Sequence, residues 1–579
     1  MCGIAGVLGP SVQPGAVQAM IETLKHRGPN GIRIEDGDGF SLGHARLSII
    51  DLEGGWQPLH AAQSIVIGNG EIYNYLELAR DHQLGGKLAT GSDFEPLLHL
   101  YSTERSDAFD RLRGMFGLCL IGVDHCRWLV RDPFGIKPLY HWTHDDKLYF
   151  ASEPRALQAV GAPRTIVKER AEELLALGYT LSDQTIFHDI CRLAPGRTFS
   201  FAATPDKAEH GQLAQTWLDR QPEAFTSDEA ALSALDGVLE DSVKVHQRSD
   251  VPYGLFLSGG VDSAAIATLM ARLNERPVTA YTCGFDVEGA RDERAAAEAV
   301  AKALNLDWRE TSFDEADFWR ILPKICWALD EPTTDYASLP TYKLAEAAKG
   351  TLTVILTGEG GDEMFAGYGR YRRGLRPRFL GGRAAEPQVD APHLPDRGLG
   401  ALDRWRAAAN EWAAPFGSTV LQASQISDIK TWLPADLLLK LDRCLMAHGL
   451  EGRTPFLDTQ VADFAFRLPD RMKVRGRYGK WLLRRWLERH CPAADPWAKK
   501  KGFTVPVAAF IAPRAGDLGP KIAANEGVAK VCDADAVKAI FADDKAASAR
   551  WPLLFYAIWW NIHAAGADPK DALADLIRV

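Results

Sequence analysis

Residues 252–273 read Pro-Tyr-Gly-Leu-Phe-Leu-Ser-Gly-Gly-Val-Asp-Ser-Ala-Ala-Ile-Ala-Thr-Leu-Met-Ala-Arg-Leu. The apolar run that ends at Leu257 predicts a strand, and the spacing from Val261 to Leu273 predicts a helix. Small residues between them would present backbone N–H groups to an anion at the helix start. Since the turn has no lysine, it is not a Walker A loop. We therefore predict a phosphate-binding loop whose ligands are Ser258, Gly259, Gly260, Asp262 and Ser263.

Strand and helix patterns alternate on both sides of this loop. Strands are predicted at 278–285 and 352–356, and helices at 229–247 and 295–304. This alternation is typical of a parallel sheet with helices on both faces. The chain beyond Ala401 is mostly helical, and residues 374–400, rich in Gly, Pro and Arg, predict a mobile loop.

A second glycine-rich turn, Thr-Gly-Glu-Gly-Gly-Asp-Glu at 357–363, also follows an apolar strand. Its Asp362 and the earlier Asp262 are suitable ligands for a Mg²⁺ ion that bridges them to phosphates. The run of lysines at 499–501 offers cations for charge developing on an α-phosphate, although a solvated basic face is the alternative.

The first 200 residues have a different pattern, with short strands, such as 64–68 and 117–122, separated by turns. Helices are predicted only at a few places, including 17–25 and 94–103. A polar stretch without periodicity follows them. We therefore predict an α/β multidomain protein with domains at 1–205 and 228–579 and a linker at 206–227.

Composition excludes several classes of protein. A net charge of −10 over 579 residues gives no support for a nucleic-acid or membrane partner. The start of the chain lacks the basic segment of a signal peptide, and no stretch of about 18 apolar residues predicts a membrane span. Nine scattered cysteines without a Cys-x-x-Cys pair argue against disulfides and zinc. We expect a cytoplasmic enzyme of small molecules.

Cys2 is a candidate nucleophile, because removal of Met1 would leave it at the amino terminus. An α-amine with a pKa near 8 is partly neutral at pH 7 and can act as the base for its own thiol. A cysteine at this position can also be accidental, so its interpretation depends on the motifs that accompany it.

Four motifs accompany Cys2: residues 26–29 (His-Arg-Gly-Pro), 45–51 (Ala-Arg-Leu-Ser-Ile-Ile-Asp), 68–74 (Gly-Asn-Gly-Glu-Ile-Tyr-Asn) and 90–93 (Thr-Gly-Ser-Asp). In this order they resemble the class II glutamine amidotransferases, which implies an N-terminal nucleophile αββα sandwich over about 200 residues. One departure is Asn30, where many relatives have Asp.

The resemblance implies how glutamine is bound. Arg46 would bind its α-carboxylate, and Asp93, with Glu71 nearby, its α-ammonium. Asn69 and the Gly70 backbone N–H would stabilise the oxyanion formed by thiolate attack. Two structural alternatives remain open, a surface ion pair for Arg46 and a hairpin turn for Asn69-Gly70.

The loop at 257–263 resembles the PP-loop of ATP pyrophosphatases, whose domain is a HUP-like α/β fold. With Asp-Glu-Pro at 330–332 and the motif at 450–458, the whole order resembles glutamine-hydrolysing asparagine synthetases. This resemblance places ATP against Leu257, Cys283, Thr357 and Gly358. It also gives Glu359 a role in forming and using an acyl-adenylate, and makes Lys500 the catalytic lysine, with a register uncertain by one toward Lys499 or Lys501.

The implied reaction uses glutamine, aspartate and ATP, with Mg²⁺ as cofactor. A Cys2 thioester would release ammonia, which would attack β-aspartyl-AMP and give asparagine. Related enzymes that amidate another carboxylate, or close β-lactam or lasso-peptide rings, remain alternatives. So does a regulatory protein that only retains the fold. A homodimer is left open.

Overall fold

The computed structural model describes most of the chain. Outside the described residues lie 1, 11, 14, 182, 203–207, 223–224, 226, 288–291, 377–378, 380–381, 383–385, 388–392, 395–397, 414–418, 499–504 and 577–579, together with the side chains of 412 and 413. The predicted lysines Lys499, Lys500 and Lys501 and much of the predicted 374–400 loop therefore lie outside the described residues.

Two antiparallel sheets of six strands form the amino-terminal domain. The strands are β1 Gly3–Leu8, β2 Ile32–Gly37, β3 Phe40–Ala45, β4 Leu59–Ala61, β5 Ser64–Ile72, β6 Gly114–Ile121, β7 Arg127–Arg131, β8 Tyr140–His144, β9 Lys147–Ala151, β10 Cys191–Arg192, β11 Arg197–Phe201 and β12 Glu209–Gln212. Their order is β10-β8-β9-β1-β3-β2 in one sheet and β12-β11-β7-β6-β5-β4 in the other.

An apolar layer between the two sheets forms the core of this domain. Alternate residues of facing strands fill it, including Ile4, Leu42, Ile67, Cys119 and Phe150. Helices cover the outer faces: α1 Ala16–Glu22, α2 Tyr75–Asp81, α3 Glu95–Glu104, α4 Pro154–Gln158 and α5 Lys168–Leu177. The predicted αββα sandwich is confirmed.

The predicted linker at 206–227 contains regular structure. Strand β12 pairs with β11 and completes the second sheet, so the predicted boundary at residue 205 lies just before the last strand of that sheet. Farther along, Trp217 is buried and stacks on Phe134 of the sandwich, with ring centroids 5.4 Å apart. The pattern failed here because β12 is short, polar and at a sheet edge.

A parallel sheet of five strands begins the second domain, as predicted. Its strands are β13 Tyr253–Phe256, β14 Thr279–Phe285, β15 Asp307–Phe313, β16 Val354–Leu356 and β17 Glu451–Arg453. The order β15-β14-β13-β16-β17 reverses direction between β13 and β16. Such a switch point leaves a crevice at the carboxyl ends of the two strands, where ligands bind in open α/β sheets.

Helices pack on both faces of this sheet and build the rest of the domain. They are α6 Asp228–His246, α7 Val261–Leu273, α8 Arg294–Ala303, α9 Glu315–Ala328, α10 Ser338–Ala348, α11 Gly361–Phe365, α12 Gly369–Gly374, α13 Leu399–Ala413, α14 Val420–Lys430, α15 Leu438–Met446, α16 Thr459–Arg467, α17 Asp470–Lys473, α18 Trp481–His490, α19 Val507–Ile511, α20 Ala515–Ala523, α21 Glu526–Ala529, α22 Ala534–Ala542, α23 Arg550–His563 and α24 Pro569–Ala574. Among the described residues, none of these helices combines the length and apolarity needed to cross a membrane.

Candidate active sites

The predicted nucleophile Cys2 lies where β1 meets β5. Its backbone N donates to the Asn69 Oδ1 at 3.2 Å, and its carbonyl accepts from Arg27 Nε at 3.2 Å. Burial raises the pKa of the Cys2 thiol, so the thiolate needs a base beside it. Removal of Met1, which would supply that base as an α-amine, stays a prediction.

Asn69 and Gly70 occupy the middle of β5, so their interpretation as a hairpin turn is wrong. The Asn69 side chain is fully buried, and its Nδ2 has no hydrogen-bond partner among the residues that the structure describes. Gly70 has a φ of 143°, and a Cβ there would lie 1.9 Å from the Met115 carbonyl oxygen. An unused buried amide donor is costly unless a ligand satisfies it, and it lies beside Cys2.

Arg46 is also buried, and its guanidinium is held by backbone carbonyls rather than by a carboxylate. Nη1 donates to the Leu52 oxygen at 3.1 Å and Nη2 to the Asp51 oxygen at 2.5 Å. The ring of Trp56 covers it, 4.8 Å from the guanidinium carbon. Its positive charge is near enough to interact with Cys2. The interpretation as a surface ion pair is therefore wrong.

Asp93 and Glu71 are two buried carboxyl groups that lie near enough to influence each other electrostatically. Asp93 Oδ2 accepts from the Ile72 backbone N at 2.7 Å, and burial raises the pKa of Asp93 to about 7. Burial and the nearby Glu451 and Asp93 raise the pKa of Glu71 well above its usual range. Glu71 Oε1 also lies 3.6 Å from Arg453 Nη2, and a bound ammonium group would add a second cation beside the two carboxyls.

The predicted phosphate loop lies at the switch point of the parallel sheet. Leu257 follows β13, and the Ser263 hydroxyl donates back to the Ser258 carbonyl at 3.0 Å, which closes the turn before α7. The second loop, with Thr357 and Gly358, follows β16 and lies against the first, since a Cβ on Gly358 would be 2.8 Å from the Asp262 Cβ. Cys283 is in the neighbouring strand β14.

Asp262 and Asp362, one from each loop, share Lys480 as an ion-pair partner. The Lys480 ammonium lies 2.7 Å from Asp362 and also pairs with Asp262. Only 3% of the Lys480 side chain is exposed. The described residues contain no cluster of three or more potential metal ligands of the His, Cys, Asp or Glu type. Two carboxylates nonetheless suit Mg²⁺, which usually takes one or two of them and completes its shell with phosphates and water.

Glu359 lies in the second loop, 27% exposed, and its Oε1 is 3.5 Å from the Lys440 ammonium. Burial raises the pKa of the Glu359 carboxyl, against the effect of Lys440. Lys440 itself pairs with Asp335 at 2.9 Å. Glu359 is thus held at the edge of the crevice by one shared cation.

Several motifs quoted from the sequence meet at the interface between the domains instead of in either site. Arg27 donates to both carboxylate oxygens of Asp442, at 2.8 and 3.1 Å. Glu331, from the Asp-Glu-Pro motif, pairs with Arg192 of the sandwich at 2.8 Å. Such bidentate or buried pairs fix orientation.

Sequence reasoning gave no role to Lys480, Lys440 or Arg27. Arg27 belongs to the His-Arg-Gly-Pro motif. The sequence indicates that two domains must be joined, but it does not indicate that Arg27 pairs with Asp442 to join them. Lys480 and Lys440 lie more than 70 residues from the loops that they neutralise. Only the three-dimensional structure brings them there.

Comparison with known proteins agrees with this arrangement. The asparagine synthase family model matches residues 234–563, and the glutamine amidotransferase domain model matches residues 1–210. The glutamine-hydrolysing asparagine synthetase 1 of Bacillus subtilis (strain 168) is 32% identical over 618 residues, with 97% of each chain covered. Asparagine synthetase B of Escherichia coli (strain K12) is 29% identical, over 87% of this chain and 82% of that protein. This chain therefore belongs to the asparagine synthase family, with a glutamine amidotransferase domain preceding its synthase domain.

Proposed function

We propose that this enzyme makes asparagine from aspartate, ATP and glutamine, with glutamate, AMP and pyrophosphate as the other products. The observation that supports the proposal is that one chain has candidate reactive groups for both half-reactions, one set in each domain. Cys2 faces an unused amide donor of Asn69 in one domain, and two glycine-rich loops flank a switch point in the other. Relatives that share nearly the full length are named as glutamine-hydrolysing asparagine synthetases.

In the first half-reaction, the α-amine of Cys2, exposed after removal of Met1, takes the thiol proton. The sulfur attacks the amide carbon of glutamine, and the resulting oxyanion accepts hydrogen bonds from Asn69 Nδ2 and the Gly70 N–H. Ammonia leaves with the proton held by the α-amine, and water hydrolyses the thioester to glutamate. Arg46 and Asp93 hold the α-carboxylate and α-ammonium of the substrate.

In the second half-reaction, the β-carboxylate of aspartate attacks the α-phosphorus of ATP and pyrophosphate leaves. Ammonia then attacks the acyl carbon, and AMP departs. The loops beginning at Leu257 and Thr357 bind the nucleotide through backbone N–H groups, with Cys283 nearby. Asp262 and Asp362 would hold Mg²⁺, which supplies neutralising charge for the phosphates.

Glu359 accepts a proton from the attacking ammonia, which carries an extra proton once the C–N bond has formed. Its raised pKa suits that role, because a weakly acidic carboxyl is a better proton acceptor once ionised. Lys500 remains the proposed cation for the α-phosphate. A cytoplasmic location also stays a proposal.

The test is product identification with the purified enzyme, glutamine, Mg²⁺ and ATP, using aspartate and a panel of other carboxylic acids. We expect asparagine, AMP and pyrophosphate in equal amounts from aspartate. An amide formed from another acid and not from aspartate would keep the two half-reactions and replace the acceptor. No pyrophosphate with any acid would favour a regulatory protein.

A further inference from the structure

The backbone corner at Asp51 connects the two groups proposed to bind the α-carbon substituents of glutamine. Its carbonyl oxygen accepts from Arg46 Nη2 at 2.5 Å, and its Oδ2 accepts from the Gly91 backbone N at 2.7 Å. Gly91 lies two residues before Asp93. A shift of Asp51 would therefore move the carboxylate-binding and ammonium-binding sides of the pocket together.

This corner has a conformation that needs external support. Asp51 has a φ of 50°, in the left-handed region that non-glycine residues rarely adopt. Its own Oδ1 accepts from the Gly54 N at 2.9 Å, which satisfies the turn locally. The backbone N–H of Asp51 has no such local partner among its contacts and points out of the amino-terminal domain to the next one.

Asp250 of the synthetase domain supplies that partner. Its Oδ2 accepts from the Asp51 N at 2.8 Å, and its own backbone N donates to the Ile49 oxygen at 2.9 Å. These two hydrogen bonds fix the backbone at Ile49 and at Asp51, as hydrogen bonds from a neighbouring β-strand would. Asp250 lies three residues before β13, the strand that runs into the phosphate loop.

We infer that Asp250 is a positioning residue through which the synthetase domain sets the affinity of the glutaminase site for glutamine. The inference rests on the proposed function, because it assumes that Arg46 and Asp93 bind glutamine. Among the described residues, Asp250 bonds to Asp51 and Ile49 and not to Cys2, Arg46 or Asp93. It acts by fixing Asp51, and through it the carbonyls that orient Arg46.

The test compares three variants of the full-length enzyme, with glutamate release from glutamine and ammonia-dependent synthesis as separate measurements. Asp250→Ala removes the acceptor, and Asp250→Asn keeps an oxygen that can accept the same N–H. Asp241→Ala is the matched control, since this half-exposed carboxylate also pairs across the domains, with Arg113 at 2.7 Å rather than with Asp51.

We expect Asp250→Ala to raise the KM for glutamine by about 3- to 10-fold, the effect of one net hydrogen bond, with kcat little changed. Asp250→Asn should restore the KM to within about twofold, and Asp241→Ala should leave it unchanged. Ammonia-dependent kcat and the KM for ATP should stay constant in all three variants.

Two results would overturn the inference. One is an unchanged KM for glutamine in Asp250→Ala, and the other is an equal loss of ammonia-dependent synthesis, which would indicate general damage to the phosphate loop. Failure of the glutaminase half of the proposed function would look different, because the wild-type enzyme itself would then release no glutamate.

Discussion

The two proposed sites of this enzyme differ in how their polar and charged groups are satisfied before a ligand binds. At the proposed glutamine site, uncharged backbone oxygens orient Arg46, and the Asn69 amide donor finds no partner within the described part of the chain. At the nucleotide site, the charges neutralise one another, because Lys480 pairs with both Asp262 and Asp362. The proposed glutamine site thus relies on hydrogen-bonding groups, whereas the proposed nucleotide site contains a cluster of paired ions.

This difference matches the substrates. Glutamine is a zwitterion with no net charge, so a fixed set of hydrogen bonds recognises it without a change in the ion pairs of the site. In the proposed reaction, Mg²⁺ and ATP would bring strong charges of both signs, and partly buried carboxylates without a cation would be destabilising before these ligands bind. Lys480 supplies that cation, and it would exchange partners when the metal and phosphates bind.

The largest expected effect separates the two sites completely. Cys2→Ala should lower glutamine-dependent synthesis by about 10⁴-fold or more, because no second thiol can replace the nucleophile. Ammonia-dependent synthesis should remain within about twofold of wild type, since the nucleotide site is untouched. Parallel assays with glutamine and with ammonium salts check this, and loss of both activities in a folded variant would contradict the division between the sites.

A smaller effect is expected for the carboxylates that Lys480 neutralises. Asp262→Asn and Asp362→Asn should each raise the Mg²⁺ concentration for half-maximal ammonia-dependent synthesis by roughly 10- to 100-fold, because a neutral amide is a weaker Mg²⁺ ligand. Glutamate release without ATP should be unchanged.

The control is Glu240→Gln, which removes an exposed charge that pairs with Arg272 in the same domain. If its Mg²⁺ dependence equalled that of the two aspartate variants, the loss of a negative charge anywhere in the domain would explain the effect, and not the loss of a Mg²⁺ ligand. An unchanged Mg²⁺ dependence in both aspartate variants would remove them from the metal site.

The fold could be predicted from the sequence wherever the hydrophobic period of a helix or of a strand dominates a segment. The helix predicted from Val261 to Leu273 has the same limits as α7, because glycines fix its start and its buried face is almost continuous. The strand predicted at 352–356 becomes β16 and that at 278–285 becomes β14. The loops at 257–263 and 357–363 could be placed for the same reason, since glycines mark the turn after each strand.

Contacts between distant segments could not be predicted. Lys480 reaches Asp262 across 218 residues, and Arg27 reaches Asp442 across 415. No local period encodes such pairs, so the ion pairs that neutralise one site and the bonds that join the domains emerge only from the tertiary structure. The edge strand β12 was missed for a related reason. Its four residues have no strand pattern of their own, and they form a strand because they pair with β11.

The smallest effect that we predict is a pH dependence of glutamine binding. Burial raises the pKa of Asp93 to about 7, so in the free enzyme this carboxyl loses its charge as the pH falls through neutrality. Its charge attracts the α-ammonium of glutamine only when it is ionised. Binding should therefore be strongest above pH 7 and weaken by up to about tenfold for each pH unit below it.

Chemistry would obscure this titration, because the α-amine of Cys2 also changes its charge near pH 8. Calorimetric titration of glutamine into Cys2→Ala measures Kd without turnover. Between pH 8 and pH 6, we expect the Kd to rise by roughly tenfold. Adding Asp93→Asn should give a weaker Kd that stays constant over the same range, since the amide has no proton to gain. A pH-independent Kd in Cys2→Ala, or an unchanged slope in the double variant, would assign the ammonium contact to another group. Glu71, whose pKa is also raised by burial and by nearby carboxylates, is the neighbouring carboxyl to substitute next.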